Sequence, residues 1–357
     1  MRWDNLKVSS EAGRALPGYR EPAAIRTFDA PEALDVRFYE VRARSILNRV
    51  PKQSQVPFRW TINPYRGCTH ACTYCFARPT HTYLDFDAGR DFEREIVVKV
   101  NTPELARTEL MRPGWKREHV ALGTNTDPYQ WVEKRYELMP GVWEAMRDSR
   151  TPSSVLTKSP LLLRDIELFK QIPSFAANLS IPTLDERAWR ASEPHTPNPR
   201  KRIEAVAELT RAGIPCGVLI APLMPGINDS PRQVEEILAL CGEAGAVSIG
   251  GICLHLRGDV RRIFMDWLRS YRPDLVPRYE RLYARGAYAA KSERERLAEL
   301  VRAGKRAQRP AGESAGPGPS GHERALGNDA AVDAERAPPG QAAARHASPP
   351  AEQASLF

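Results

Sequence analysis

Three cysteines lie within one short segment, NPYRGCTHACTYCFARPTH at 63–81, as Cys68, Cys72 and Cys75. Their C-x3-C-x2-C spacing lets a single coil of chain point all three sulfurs toward one metal centre. A structural zinc site needs four protein ligands, so zinc would require His70 or His81 as the fourth. A cubane 4Fe-4S cluster held by three cysteines instead leaves one iron available to a small-molecule ligand. The spacing predicts a metal centre and leaves both metals open.

The elements that must position this segment are short apolar strands that alternate with helices. The predicted strands are 59–63, 119–123, 154–157, 176–181, 216–221 and 247–256, and the predicted helices include 134–148, 160–171, 198–212 and 231–243. Strands this apolar, each followed by a helix, form a parallel sheet covered by helices. The fold class is therefore α/β, either a full or partial (β/α) barrel or an open doubly wound sheet. In each of these folds chemistry takes place at the carboxyl ends of the strands.

The cysteine spacing and its place after the first strand resemble the radical S-adenosylmethionine (SAM) superfamily, with Tyr74 at the Φ position of its C-x3-C-x-Φ-C motif. The segment GTNTDPYQ at 123–130 is similar to the TDPYQ signature of the group that includes spore photoproduct lyase. This resemblance runs from about Phe58 to Arg285. It implies a partial (β/α)6 TIM-like barrel, a 4Fe-4S cluster on the three cysteines and SAM at the fourth iron. It also implies reductive cleavage of SAM and hydrogen abstraction from a substrate by a 5'-deoxyadenosyl radical.

The resemblance further implies SAM-binding residues at the ends of the strands. Tyr74 would lie near the adenine, Lys158 beside the SAM carboxylate, and Ser180 within reach of the ribose or carboxylate. The residues after the second strand would meet the SAM ammonium group, and these are Thr124, Asn125, Thr126 and Asp127. Two ordinary alternatives stay open: Asp127 could cap a turn, and Lys158 could be solvated. The resemblance also implies a cysteine that returns a hydrogen atom to the product; Cys216 and Cys253 are the candidates, the sequence does not choose between them, and no catalytic residue is assigned.

Composition and charge restrict the class of protein and of substrate. The 357 residues include 52 Lys+Arg and 44 Asp+Glu, a formal charge of +8, and the basic excess falls in 257–304. A basic surface suits a phosphate-bearing substrate such as nucleic acid. The longest nearly uncharged apolar run, 244–254, is far shorter than the roughly 20 residues of a membrane helix. The clustered cysteines do not suggest a disulfide framework, so we expect a protein of the reducing cytoplasm.

Four segments differ in composition. Residues 1–56 are predicted to form an N-terminal extension whose 28–50 stretch has helical spacing, and 57–285 the radical SAM core barrel. A C-terminal helix is expected at 286–304. Residues 305–357 are rich in Pro and Gly and poor in large apolar side chains. Because such a tail buries too little apolar surface to offset its ordering entropy, we expect it to be disordered.

Two functional hypotheses follow. The first is a radical SAM enzyme with a 4Fe-4S cluster and SAM, supplied with electrons by a reductant such as flavodoxin or ferredoxin. Its substrate is unidentified, and the resemblance favours nucleic acid and a DNA-lesion lyase-like reaction. The second is a non-enzymatic zinc-binding interaction module in which the cysteine segment is structural.

Overall fold

The structure of the chain is a computed structural model, and it describes residues 9–30, 35–51, 54 and 56–307. The strands are β1 (Ser9–Arg14), β2 (Ala23–Thr27), β3 (Arg37–Val41), β4 (Leu47–Arg49), β5 (Trp60–Ile62), β6 (Tyr65–Arg66), β7 (Glu95–Lys99), β8 (Val120–Leu122), β9 (Ser153–Thr157), β10 (Ala176–Ser180), β11 (Cys216–Leu223) and β12 (Ser248–Cys253). The α-helices are α1 (Arg90–Arg94), α2 (Thr102–Leu110), α3 (Glu133–Tyr136), α4 (Leu138–Ser149), α5 (Ile166–Phe169), α6 (Glu186–Ser192), α7 (Pro199–Arg211), α8 (Pro231–Glu243), α9 (Asp259–Tyr271), α10 (Val276–Leu282) and α11 (Lys291–Ala307). Short 3-10 segments span Arg78–Leu84, Pro160–Asp165 and Pro273–Leu275.

The larger sheet is the one that the apolar runs predict. Its strand order is β12-β11-β10-β9-β8-β5-β4, and β5 and β8 through β12 are parallel neighbours. Helices follow these strands, which confirms the α/β class. Among the described residues β4 and β12 do not pair, so the sheet is open and the fold is a partial (β/α)6 barrel. The carboxyl ends of all six parallel strands meet at one edge.

The barrel is held by apolar strand residues packed against the helices. All three residues of β8 are buried, and Trp143 of α4 is fully buried in the same core. The indole of Trp143 meets the ring of Phe169 edge-on at 5.3 Å, and Phe169 stacks on Phe175 at 4.2 Å between centroids. Burial of each such ring stabilises the fold by about 2 kcal/mol. A change of Trp143 to Ala would therefore leave a large cavity behind β8 and β9.

The smaller sheet holds the start of the cysteine segment. Its order is β1-β2-β3-β7-β6, so β7 stands outside the strand–helix alternation of the barrel. All five residues of β7 are buried. Tyr65 of β6 pairs with Val98 of β7 in antiparallel register. Since β6 ends two residues before Cys68, this second sheet fixes where the cysteine segment begins.

The helix predicted over 28–50 is wrong. This stretch contains the strands β3 and β4, and its residues 31–34 lie outside the described part. β3 is a strand because it pairs with β2 along one edge and with β7 along the other. Its adjacent side chains Phe38 and Tyr39 point to opposite faces of the sheet, and both are fully buried. Since β2 and β7 lie outside residues 28–50, the spacing of apolar residues within that stretch does not reveal this pairing.

The C-terminal region contains the helix α11, which packs on the outer side of the barrel. Val301 lies against Gly251 of β12, where an added Cβ atom would come within 2.7 Å of the valine side chain. Residues 308–357, most of the predicted disordered tail, lie outside the described residues. Among the residues that are described, no helix is both long and apolar enough to cross a membrane.

Candidate metal and cofactor site

The cysteine segment turns sharply away from β6 at Gly67. The backbone φ of Gly67 is +78°, and a Cβ atom there would lie 2.8 Å from the carbonyl oxygen of Phe92. A side chain at this position would therefore be strained and would also clash. The next residue, Cys68, donates its backbone N–H to the same carbonyl at 2.9 Å. Gly67 thus permits the approach that anchors the first cysteine.

A buried arginine holds the inner side of the loop. Arg78 donates from Nε to the carbonyl of Cys72 at 3.0 Å and from Nη2 to the carbonyl of Ala71 at 3.2 Å. Its Nη2 atom also pairs with a carboxylate oxygen of Glu93 at 2.8 Å. Because the planar guanidinium fixes several acceptors at once, it sets the path of the chain at the second cysteine.

The three thiols suit a cationic centre. Cys68 and Cys72 each expose 7% of their surface, and Cys75 is half-buried. Burial raises the pKa of all three thiols; nearby Asp127 adds to the effect for Cys68, and Glu193 adds to it for Cys72. Three thiolates on this largely buried loop would therefore need a strong positive charge beside them, and a coordinated metal deprotonates a thiol outright. The donor set fits an iron–sulfur cluster.

The segment after β8 ties this loop to the barrel. Thr126 donates its hydroxyl to the carbonyl of Tyr65 at 2.9 Å. Fully buried Gln130 donates from Nε2 to the carbonyl of Gly67 at 3.1 Å and accepts from the backbone N–H of Thr69 at 2.8 Å. These two side chains of the TDPYQ segment therefore contact the cysteine loop itself.

Asp127 is occupied by partners from the protein. Its carboxylate accepts hydrogen bonds from the backbone N–H of Tyr129 at 2.9 Å, the hydroxyl of Thr157 at 2.6 Å and the backbone N–H of Lys158 at 2.8 Å. The Nδ1 atom of His70 lies 3.4 Å from Oδ2. Burial would raise the pKa of Asp127, but His70 and these hydrogen bonds outweigh burial and lower it. The carboxylate joins the cysteine loop to the ends of β8 and β9.

The structure brings together three of the predicted SAM-binding residues. Lys158 donates from Nζ to the hydroxyl of Ser180 at 2.6 Å, and Nζ lies 5.8 Å from the ring centroid of Tyr74. The same Nζ lies 3.1 Å from Oε1 of Glu193, to which Tyr74 donates its hydroxyl hydrogen. Lys158 is therefore neither solvated nor isolated. It lies in a buried group at the ends of β9 and β10.

Sequence reasoning missed Glu193, the centre of this group. Glu193 and Arg202 are both fully buried, and Arg202 Nη2 lies 2.7 Å from Glu193 Oε2. Burial would raise the pKa of Glu193, but Arg202 and Lys158 outweigh it and lower the value to about 2. Arg202 also donates to the carbonyl of Ser180 at 2.9 Å. Because the partners of Glu193 come from separate segments, no short motif marks it.

The two remaining predicted residues, Thr124 and Asn125, are half-buried at the end of β8. The Oδ1 atom of Asn125 is buried and has no hydrogen-bond partner within the described residues. The hydroxyl oxygens of Thr69 and Thr73, on either side of Cys72, are likewise buried and have no hydrogen-bond partner within the described residues. A buried polar atom left without a partner costs about 1–3 kcal/mol. A polar ligand that supplied those partners would remove this cost.

The family of the chain follows from comparison with known proteins. The sequence model of the radical SAM superfamily matches residues 62–241, which contain the cysteine segment and five parallel strands from the end of β5 through β11. The chain belongs to the radical SAM superfamily. An uncharacterised protein of Mycobacterium tuberculosis is 45% identical over 309 residues, covering 84% of this chain and 91% of that protein.

Two further proteins that are similar to this chain have names that state an activity. A radical SAM Nalpha-GlyT isomerase of Pseudomonas phage M6 is 29% identical over 184 residues, covering 50% of this chain and 36% of the phage protein. Spore photoproduct lyase complexed with dinucleoside spore photoproduct has a similar structure, with a TM-score of 0.57, 15% identity, and coverage of 75% of this chain and 78% of the lyase. At this identity the structural likeness concerns the fold.

The other cysteines of this radical SAM chain are packed into the fold. Cys216 begins β11 at the amino edge of the sheet, Cys241 lies in α8, and Cys253 ends β12 at the carboxyl edge. Burial raises the pKa of Cys216 and Cys241 to about 12 and that of Cys253 to about 11. Of the two candidate hydrogen donors, Cys216 and Cys253, only Cys253 lies at the carboxyl edge of the sheet, where the candidate site is.

The histidines near the loop have other partners. The ring of His70 faces Asp127, and His81 Nε2 lies 2.8 Å from the backbone oxygen of Glu95. In the described ranges, no group of three or more Cys, His, Asp or Glu side chains, the three cysteines included, is already gathered around a single ion position. The two histidines considered as a fourth zinc ligand thus each have a partner within the fold.

Proposed function

We propose that this chain is a radical SAM enzyme that holds a 4Fe-4S cluster on Cys68, Cys72 and Cys75 and binds SAM at the iron left without a cysteine. The observation that carries the proposal is the set of three cysteines on one loop, two buried and one half-buried, tied by Thr126 and Gln130 to the carboxyl edge of a parallel barrel. When bound, the cluster would supply the electron that cleaves SAM, giving the 5'-deoxyadenosyl radical that abstracts hydrogen from the substrate.

The chain's own residues would bind and orient SAM. The Lys158 ammonium has three N–H groups, of which Ser180 and Glu193 engage two, so one remains for the SAM carboxylate. The unpartnered Oδ1 of Asn125 would accept from the SAM ammonium group, with Thr124 beside it. Tyr74 presents an aromatic face close to Lys158.

Three of the predicted SAM ligands, Ser180, Thr126 and Asp127, would position other residues instead of contacting SAM themselves. The hydroxyl of Ser180 accepts from Lys158 and donates to the carbonyl of Ala221 at 3.0 Å, so it orients the lysine. Thr126 and Asp127 direct their polar atoms to the loop and to β9. Their effect on SAM would pass through the position of the cysteines and of Lys158.

The proposal also extends to the substrate, the electron donor and the cellular compartment. Electrons would come from a reductant such as flavodoxin or ferredoxin. A nucleic-acid substrate and a lyase-like reaction agree with the formal charge of +8 and with the dinucleoside that the structurally similar lyase binds. Clustered cysteines that must stay reduced to bind iron agree with a cytoplasmic protein.

The test is SAM cleavage without added substrate. The full chain is reconstituted anaerobically with iron and sulfide, reduced with dithionite and incubated with SAM, and 5'-deoxyadenosine is quantified by mass spectrometry. We expect 5'-deoxyadenosine from the reconstituted chain and none without reductant. A chain that takes up zinc but no iron and sulfide, and leaves SAM intact, would show the zinc-binding module instead.

A further inference from the structure

Two exposed segments meet beyond the carboxyl end of β12. The backbone N–H of Leu256 donates to the carbonyl of Ala287 at 2.8 Å, and His255 forms an antiparallel bridge with Tyr288. The chain leaving β12 therefore lies beside the chain that leaves α10. We call the surface that they form the arginine surface. Its members are His255, Arg257, Arg261, Arg281, Arg285 and Tyr288.

The arginines of this surface differ from their neighbours in how they are paired with carboxylates. Arg257, Arg281 and Arg285 are exposed and Arg261 is half-buried. Within the part of the chain that the structure describes, none of the four guanidinium groups has an ion pair or a side-chain hydrogen bond. Neighbouring arginines differ: Arg262 lies 3.9 Å from a carboxylate oxygen of Asp266, and the other paired examples are Arg269, Arg272, Arg278 and Arg296.

The composition of the two segments adds to this excess of positive charge. The stretches 255–262 and 280–288 contain five arginines and two carboxylates, Asp259 and Glu280. An unpaired guanidinium presents a planar fork of N–H donors that matches the oxygens of a phosphate. The arginine surface is therefore complementary to a chain of phosphodiesters.

An exposed aromatic residue, Tyr288, follows Arg285 by three residues in the same segment. The side chain of Tyr288 is 48% exposed, unlike most tyrosines of this fold. Its ring centroid lies 4.5 Å from that of His255, with 36° between the planes, and the guanidinium carbon of Arg294 lies 5.9 Å away. Since these neighbours support the ring, it is held in place while part of it stays open to solvent. An exposed, supported ring of this kind offers a stacking surface for an unpaired base.

The arginine surface borders the candidate cluster site. Leu254 and Leu256, on either side of His255, belong to the buried apolar group that includes Cys72 and Tyr74. The same short segment thus contributes to the buried group that contains two residues of the cysteine loop, and it carries part of the arginine surface. A strand bound here would run past the mouth of the barrel.

We propose that the arginine surface binds a single-stranded segment of nucleic acid, with arginines on the phosphates and Tyr288 stacked on an unpaired base. This inference rests on the proposed function for its link to hydrogen abstraction and names the substrate class of that site. Binding can be measured in the absence of SAM, so failure of binding and failure of SAM cleavage are separate results.

The experiment is fluorescence anisotropy of a labelled single-stranded DNA oligonucleotide titrated with the full chain at several salt concentrations. The double variant Arg257→Glu/Arg285→Glu is compared with Arg107→Glu/Arg200→Glu, which makes the same charge change at exposed arginines on α2 and α7. We expect the first pair to weaken binding at least tenfold and to reduce the log–log salt slope by about 0.7 for each phosphate that is no longer neutralised. The control pair should stay within about threefold of wild type.

A second arm tests the stacking of the base. Tyr288→Ala should weaken binding of the single strand about tenfold, Tyr288→Phe should keep it, and duplex DNA of the same sequence should respond little to either change. Equal loss of affinity in both arginine pairs would overturn the proposal, as would undetectable binding of any strand by the wild-type chain. Equal single-strand affinity of Tyr288→Ala and wild type would overturn the stacking role. Wild-type protein that cleaves SAM but binds no strand refutes this inference and leaves the proposed function standing.

Discussion

Gln130 accepts a hydrogen bond from the backbone N–H of Thr69 at 2.8 Å, so the residue that follows the first cysteine is tied to the segment that follows β8. The same amide donates to the carbonyl of Gly67, the residue before that cysteine. One buried side chain therefore brackets Cys68 on both sides. The position of the loop depends on the barrel as well as on the cysteines themselves.

Replacement of Gln130 by Ala should loosen the loop. The change leaves the N–H of Thr69 and the carbonyl of Gly67 buried without partners, so we expect the free energy of unfolding to fall by about 2–4 kcal/mol and bound iron to be released faster to a chelator. Urea unfolding and the rate of iron release measure these effects. The matched control is Gln171→Ala, at an exposed glutamine. Iron release equal in the two variants would contradict a positioning role for Gln130.

Replacement of Lys158 by Met should weaken SAM binding while the cluster is retained. In the proposed site the variant would lose a charge-assisted hydrogen bond to the SAM carboxylate, and we expect the Kd of SAM to rise about tenfold to a hundredfold. Equilibrium dialysis with labelled SAM, normalised to bound iron, gives the Kd. Lys134→Met, at an exposed lysine of α3, is the control. An unchanged Kd in the Lys158 variant would remove this lysine from the SAM site.

Glu193 should make the stability of the chain depend on acid pH. Its pKa in the folded chain is about 2, below the ordinary 4.5, so its stabilising effect is complete above pH 4.5 and is lost as the pH falls toward 2. For a single group this loss is about 2 kcal/mol between pH 7 and about pH 3. Urea unfolding at both pH values compares wild type, Glu193→Gln and the exposed control Glu186→Gln. The difference in the free energy of unfolding between wild type and Glu193→Gln should become smaller at low pH. The same difference at both pH values would contradict the assigned pKa.

Much of the barrel can be predicted from the sequence, because its strands are short apolar runs separated by amphipathic helices. All six predicted strands form, from Trp60–Ile62 to Ser248–Cys253. The N-terminal extension could not be predicted in the same way. β3 is a strand because β2 and β7 hold it on both sides, and β7 lies more than 50 residues away in the chain.

For the site as well, features formed by neighbouring residues can be predicted from the sequence, and features assembled from distant segments cannot. The three cysteines share a loop, so their spacing alone indicates a metal centre. The group around Glu193 is assembled from the ends of β9 and β10, from α7 and from the cysteine loop, and spacing gives no sign of it. The sequence predicts that Asp127 caps a turn or contacts the SAM ammonium group. Its carboxylate accepts the backbone N–H of Tyr129 and joins His70 to Thr157, which lie far apart in the chain, so spacing does not show this link.

The central claim is that Cys68, Cys72 and Cys75 hold a 4Fe-4S cluster. Its most direct test is the iron and sulfide content and visible absorption of the anaerobically reconstituted chain, compared between Cys72→Ala and Cys241→Ala. Cys241 is a fully buried cysteine of α8, away from the loop. We predict that wild type and Cys241→Ala bind about four irons and four sulfides and that Cys72→Ala loses the absorption. Cluster absorption retained in Cys72→Ala and lost in Cys241→Ala would contradict the account.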